Sequence, residues 1–445
     1  MSDHHDHHYV SVSDLPAGGE KLDHPVVARV KTLAMLIGLG GFALCILLMF
    51  IPATQGRMAY GYLWAFAFAF TLCLGGYFWS LLHHAINAGW GVSVRRIWVQ
   101  LAWTAPYLFV LALPLVLIEG VREILWDWIT EHRHAGEALA KGAVDHSGVA
   151  FTGKEGFLKE NNYLLYQKFE YLNMSFWYVR FFLYFLIVTV GAWTLRHISL
   201  RQEQDGDFKH TFTARRVACG LIPLFAVTVT FWGIDFLQAL DYTWFSTMWG
   251  VYIFAGCAWS SMALTVLVVT WLRSLGYLQK VVTMEHYHLM GKLLFAFTVF
   301  WAYIAFSQFF LIWYADLAEE TKFYMLRNSG SWWLVSLLLV FGHFVLPFFC
   351  LLHSWVKRWP ALLCGVCGWI LLMHAVDLYW IVIPERGISL SAGQELSARG
   401  GLFFDIIAII TTVSCLTWVF LRNLSSHSLY PWRDPRLQES VSVTS

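Results

Sequence analysis

The sequence predicts an all-α polytopic membrane protein with ten transmembrane helices. Three observations carry this reading. The 445 residues are 58% hydrophobic and only 13% charged, about half the charge of an ordinary soluble domain. The apolar residues gather into ten stretches, each near the ~20 residues a helix needs to cross the hydrocarbon core. Those stretches lack the two-residue alternation of a membrane barrel. Helices, which satisfy their own backbone in lipid, are therefore the spanning element.

The spans follow in order. Stretch 30–51 is apolar throughout, and 60–82 runs into His83-His84. Stretch 97–118 carries Pro106 and Pro114 as kink points. Stretch 175–195 follows the longest polar connection. In 217–240, after Pro223, Thr228, Asp235 and Tyr242 are seven apart with Gln238 beside that stripe, so they share a face. Stretch 248–272 is apolar, and 291–313 puts Tyr303, Ser307 and Tyr314 on one face. In 331–352, Ser336, His343, Pro347 and Ser354 follow helical spacing. In 361–383, His374 and Asp377 are neighbours one turn apart. In 402–421, Asp405 and Thr412 are seven apart.

Three segments lie outside the spans. Residues 1–29 open with the His-rich MSDHHDHHYVSVSD and read as a disordered tail. They contain no apolar stretch of the kind found in a cleavable signal peptide. Residues 425–445 form a polar C-terminal tail. The connection 119–174 contains the helical-looking VREILWDWITEH, and its length marks a docking surface or cap.

Lys and Arg set the expected orientation. With the N-terminus inside, 18 of the 30 fall on the inner side, and seven of the other 12 belong to the long connection or the helix end after it. Both termini are therefore expected in the cytoplasm. The outer side is acidic, holding Asp241, Asp316, Glu319, Glu320, Glu385 and Glu395. The net charge of +1 gives no basic footprint for a nucleic acid. The eight cysteines sit in apolar stretches, where they read as small packing residues. Cys364-x-x-Cys367 has no further Cys or His at metal spacing, so no metal site is assigned there. The chain has no haem-attachment motif and no iron–sulfur cysteine run.

Ionisable groups inside a bilayer are costly and mark function. His343 and His374 sit near the midplane. Asp235, Asp377 and Asp405 lie in the outer parts of their spans, with Asp241 and Asp316 at the outer mouth and His84 and Lys292 near the inner one. One reading is a proton route through Asp316, Asp241, Asp235, Asp377, Asp405, His343, His374, His84 and Lys292. Tyr303, Ser307, Tyr314, Gln238, Tyr242 and Thr228 would support it, with imidazoles titrating near neutrality. A second is a haem b held axially by His343 and His374. A third is a transporter with a midplane site.

Several stretches together carry a family resemblance: GYFWSLLHHAINAGWGVSVRR, DFLQALDYTWFSTMWGVY, HYHLMGKLLFAFTVFWAYIAFSQFFLIWYADLAEET, GHFVLPFFCLLHSWVKR and HAVDLYWIVIP. They are long and in order, and the match covers the chain from roughly the first span to the last. The chain resembles the ActF-type membrane subunit of bacterial alternative complex III, a quinol:electron-acceptor oxidoreductase of NrfD/PsrC-like architecture. The resemblance implies two four-helix bundles plus two flanking helices, in the bacterial cytoplasmic membrane. It implies a non-redox subunit that scaffolds the complex and contributes a proton path. Direct quinone or quinol binding is the alternative within the same complex, and an independent transporter the alternative outside it. The implied partners are the C-type membrane sister, periplasmic haem c and iron–sulfur subunits, and a terminal oxidase. Haem c and iron–sulfur clusters belong to those partners, and a quinone is the ligand this chain would take.

Overall fold

The computed structural model describes residues 12–146, 150–151, 153–389 and 401–443. The His-rich stretch 1–11 and Glu395 lie outside them. Among the described residues, ten helices are long and apolar enough to cross a membrane: α1 (Pro25–Phe50), α2 (Pro52–Ala85), α3 (Val92–Leu117), α4 (Met174–Asp205), α5 (Phe208–Leu240), α6 (Trp249–Ser274), α7 (Met284–Ala315), α8 (Trp332–Leu352), α9 (Pro360–Gly387) and α10 (Gly401–Leu424). No strand occurs among the described residues. The protein is an all-α polytopic membrane protein.

Helices α2 to α5 pack as one four-helix group and α6 to α9 as a second, while α1 and α10 pair with each other against α2. Helices α2 and α6 meet at the centre and are buried along most of their length. Their approach requires Gly75. A Cβ there would lie 1.9 Å from the Cys257 carbonyl oxygen and 2.2 Å from Ser261 Oγ. Small residues let backbones approach where lipid supplies no hydrophobic drive between helices. Gly75→Leu is expected to cost at least about 3 kcal/mol, because backbone must move. Size-exclusion of solubilised protein checks this, and a normal monodisperse yield would contradict it.

Two spans depart from a regular helix. Helix α3 breaks at Trp103 and Thr104, just before Pro106. Helix α8 widens into a π-helical turn over Leu339–Val345. Pro347 explains the second departure: it has no N–H for the His343 carbonyl four residues earlier, so the ladder must adjust.

The connection after α3 is an ordered cap. It contains helices Glu119–Leu125, Asp127–Ala140, Lys154–Asn161 and Tyr163–Gln167. Trp126 and Trp128 are buried against Trp177 at the start of α4, with ring centroids 5.0 and 6.1 Å away. The two polar tails are also less free than their composition predicts. Val12–Asp14 forms a short 3-10 helix, α1 begins at Pro25, and Lys21 bridges to Ser428. Both described ends thus meet at one end of the bundle. There Asp434 pairs with the buried Arg95, and Ser440 Oγ lies 2.6 Å from Ser93 Oγ. Composition alone missed this because each tail is ordered by partners far away in the chain, polar ones such as Arg95 and Ser93 and the core that buries Leu22, Leu429, Tyr430 and Leu437.

Candidate functional site

The π-helical turn of α8 carries His343 into the interior, where it is buried. Such turns recur at functional positions. Its ring stacks on Trp301 of α7 at 3.6 Å and faces Trp259 of α6 at 4.2 Å. Trp259 is itself held by Thr298, 2.8 Å from its Nε1. Across from His343, α9 presents His374 and Asp377 from adjacent turns. Gly256 makes the room: a Cβ there would lie 2.8 Å from His374 Cε1. One donor atom each from His343, His374 and Asp377 lie within 4.8 Å of one another, and all three residues are buried. Two imidazoles and a carboxylate are also a donor set that a divalent transition metal accepts. A porphyrin has no such fit, because the Trp rings already pack on His343.

Hydrogen bonds define the proton positions. Thr71 Oγ1 donates to the Phe68 carbonyl at 2.9 Å and lies 2.9 Å from His374 Nε2. With the hydroxyl proton spent, the imidazole donates from Nε2, which leaves Nδ1 as a bare lone pair. That Nδ1 has no partner, and neither does either nitrogen of His343. The Tyr252 hydroxyl donates to Asp377 Oδ1. The cluster therefore combines one carboxylate with three imidazole nitrogens that have no protein partner. Buried polar atoms are normally satisfied, so this concentration of free ones sets the site apart.

Three of the other acids expected along the route, Asp235, Asp405 and Asp241, are closed off by cations, and so is Glu385 beside them. Asp235 receives Arg180 Nε and Nη2 at 2.7 and 2.9 Å and the Tyr184 hydroxyl at 2.5 Å. Asp405 receives Arg386 at 2.8 and 3.2 Å and Tyr379 at 2.9 Å. Glu385 pairs with the buried Arg327 at 2.9 Å. Asp241 is bound by Lys322 at 2.5 Å and by Thr243. Burial works against ionising Asp241, but bonds from Lys322 and Thr243 outweigh it and hold its carboxyl below the ordinary value. That pair stabilises the fold above the usual carboxylate range and is lost as pH falls through the lowered value. Among the described acids within the spans, Asp377 stands without a basic partner.

The remaining expected residues scatter. Asp316 caps α7 at φ 49° and is exposed. Tyr303 and Tyr314 are 66% and 77% exposed and Ser307 half-buried, so their shared face points outward. The inward face carries Trp301, Ile304 and Gln308 instead. Lys292 is exposed, whereas His84 is buried at the terminus end with Nε2 unpartnered. Gln238 is buried with a free Oε1. Tyr242 accepts from Asn162 at 2.8 Å, and Thr228 bonds the Leu224 carbonyl at 2.8 Å. Sequence reading missed Thr71, Tyr252, Trp259 and Trp301 at the cluster, and Arg180, Arg327 and Arg386 as neutralising partners. Nothing local in the chain marks those three arginines, because each pair joins two separate helices.

Beside the cluster, a cavity of about 680 Å³ lies between α7 and α8. Tyr252 and Trp301, which flank Asp377, form its inner wall. Gln308, Asn328 and Ser336 add polar groups, and the outward-facing Phe306, Trp333 and Val340 form its mouth. No protein-family model matches the chain, and no curated protein matches it.

Proposed function

We propose that the chain is a membrane subunit of a quinol-oxidising respiratory complex of the alternative complex III type, scaffolding it and conducting protons through the Asp377–His374–His343 cluster. The observation that supports conduction is the cluster itself. Its carboxylate is free of a cation and its imidazole nitrogens are free of fixed partners, so a proton can be taken up and handed on without breaking an ion pair. Toward the terminus end, Ser80 Oγ and His84 Nε2 are buried without protein partners, and such atoms are normally bridged by water. The acidic, helical cap suits docking to electron-transfer partners, with the termini in the cytoplasm of a bacterium. Purification from native membranes tests membership of the complex. The chain is expected to migrate with haem c and iron–sulfur subunits, and migration alone would end this reading.

One observation favours direct quinol binding as a second reading: the amphipathic cavity between α7 and α8. Cofactor and ligand pockets are concave, mostly apolar and carry a few placed polar groups. Ala305 lines the cavity, so Ala305→Trp fills it. If quinol is oxidised there, turnover is expected to fall by at least about tenfold, the cost of losing roughly 1.4 kcal/mol of binding. Unchanged turnover in the assembled complex leaves the scaffold-and-proton reading standing.

A further inference from the structure

At the terminus end, helices α3, α4 and α10 gather hydrogen-bond donors that have no acceptors. Arg96 and Gln100 lie one turn apart on α3, and α10 packs on this part of α3. Arg96 Nη1, Gln100 Nε2 and Asn423 Nδ2 are all unpartnered, in residues that are 3%, 0% and 6% exposed. Arg196 of α4 links the three helices. Its Nε donates to Gln100 Oε1 and its Nη2 to Ser426 Oγ, each at 3.3 Å. Arg196 has no carboxylate partner among the described residues. The one acid in the group, Glu203, is already bound to Arg96 Nη2 at 2.7 Å. Burial, and then the charges of Arg196, Arg96 and Lys21, hold the nearby His427 imidazole down at about 4. The environment is thus cationic and rich in donors.

An apolar groove continues from this cluster. It holds about 130 Å³ between α1, α3 and α10, and Thr104, Tyr107, Leu111 and Val419 line it. Thr104 is one turn from Gln100, and Val419 one turn from Asn423, so groove and donors adjoin along both helices. Leu39 and Val110 form its outer edge, each 48% exposed. Trp103 lies under the Arg196 guanidinium at 5.7 Å. An acceptor-only, negatively charged head joined to an apolar chain matches both halves, and neither half alone would require the other.

We infer that this α3–α4–α10 junction binds an anionic phospholipid, with its phosphate at Arg196, Arg96, Gln100 and Asn423 and part of an acyl chain in the groove. The inference stands apart from the proposed function. The test uses delipidated full-length protein in neutral detergent, with native mass spectrometry and thermal unfolding as readouts. Dioleoylphosphatidylglycerol is expected to stay bound and raise the unfolding temperature, with dioleoylphosphatidylcholine retained far less. Arg196→Glu is expected to weaken retention of the phosphatidylglycerol about tenfold, through two units of charge at the head. Leu39→Trp fills the groove from its exposed edge. It is expected to weaken retention while leaving the unfolding temperature of the lipid-free protein unchanged, which separates binding from folding. Inorganic phosphate is expected not to displace the lipid. Equal retention of the two lipids, or unchanged retention in both variants, would overturn the assignment. Displacement by phosphate alone would show a free-anion site and overturn the lipid.

Discussion

Asp377→Asn is expected to reduce proton movement by the assembled complex about 10²-fold or more, the scale on which losing a positioned proton-transfer group acts. The substitution keeps size and shape. An amide oxygen still accepts from Tyr252, so the contact with α6 survives. What disappears is the carboxylate that can bind and release a proton beside the free nitrogens of His343 and His374. His374→Ala is expected to interrupt the same transfer and to leave Thr71 without its ring partner. The measurement is quinol-driven acidification or alkalinisation across proteoliposomes holding the complex, with turnover followed in parallel. Proton movement and turnover both at the unsubstituted level in Asp377→Asn would sink the proton-path proposal.

Arg180→Ala is expected to cost the fold about 3–5 kcal/mol, because it leaves Asp235 buried without its cation. Asp235 is fully buried, and Arg180 gives it two hydrogen bonds. Arg180 also donates to the Tyr171 carbonyl at 2.9 Å and stacks on the Tyr171 and Phe176 rings at 3.8 and 4.4 Å. It therefore ties α4 to α5 and to the end of the cap. The double change Arg180→Met with Asp235→Leu is expected to recover much of the loss, since two apolar side chains of similar volume leave no stranded charge. Thermal unfolding in detergent compares the two proteins. A double variant as unstable as Arg180→Ala would show that the stacking, not the ion pair, carries the stability. This result also separates Asp235 from Asp377: the first acts in structure, and the second is the carboxylate free to exchange a proton.

Much of the fold was legible because its signal is local. Each span is a run of apolar residues within one stretch of chain, and the observed helices match the expected spans, falling one residue short at Ile51, Ile118, Met248 and Ser331 and reaching further at most other ends. His343 and His374, read at similar positions along their spans, do come together. Facing was read less well. The stripe Tyr303, Ser307, Tyr314 has helical spacing, yet it points away from the protein and Gln308 points inward. In a bilayer both faces of a helix can be apolar, so the contrast that orients an amphipathic helix in water is weak.

The sequence by itself determined the class of the protein, the number of its spans and the few acids and imidazoles that had to be explained within them. Hydropathy is summed along one helix and needs no partner, and the cost of burying a charge can be counted residue by residue. Only the tertiary structure decided which of those charges are spent. Arg180 meets Asp235 across 55 residues, Arg327 meets Glu385 across 58, and Arg386 meets Asp405 across 19. An acid paired with an arginine and an acid left free look alike in the chain. They differ only once helices pack, because whether a cation lies within hydrogen-bonding reach is a property of two helices at once. Packing set Asp377 apart from the other buried acids, and placed it beside His343 and His374.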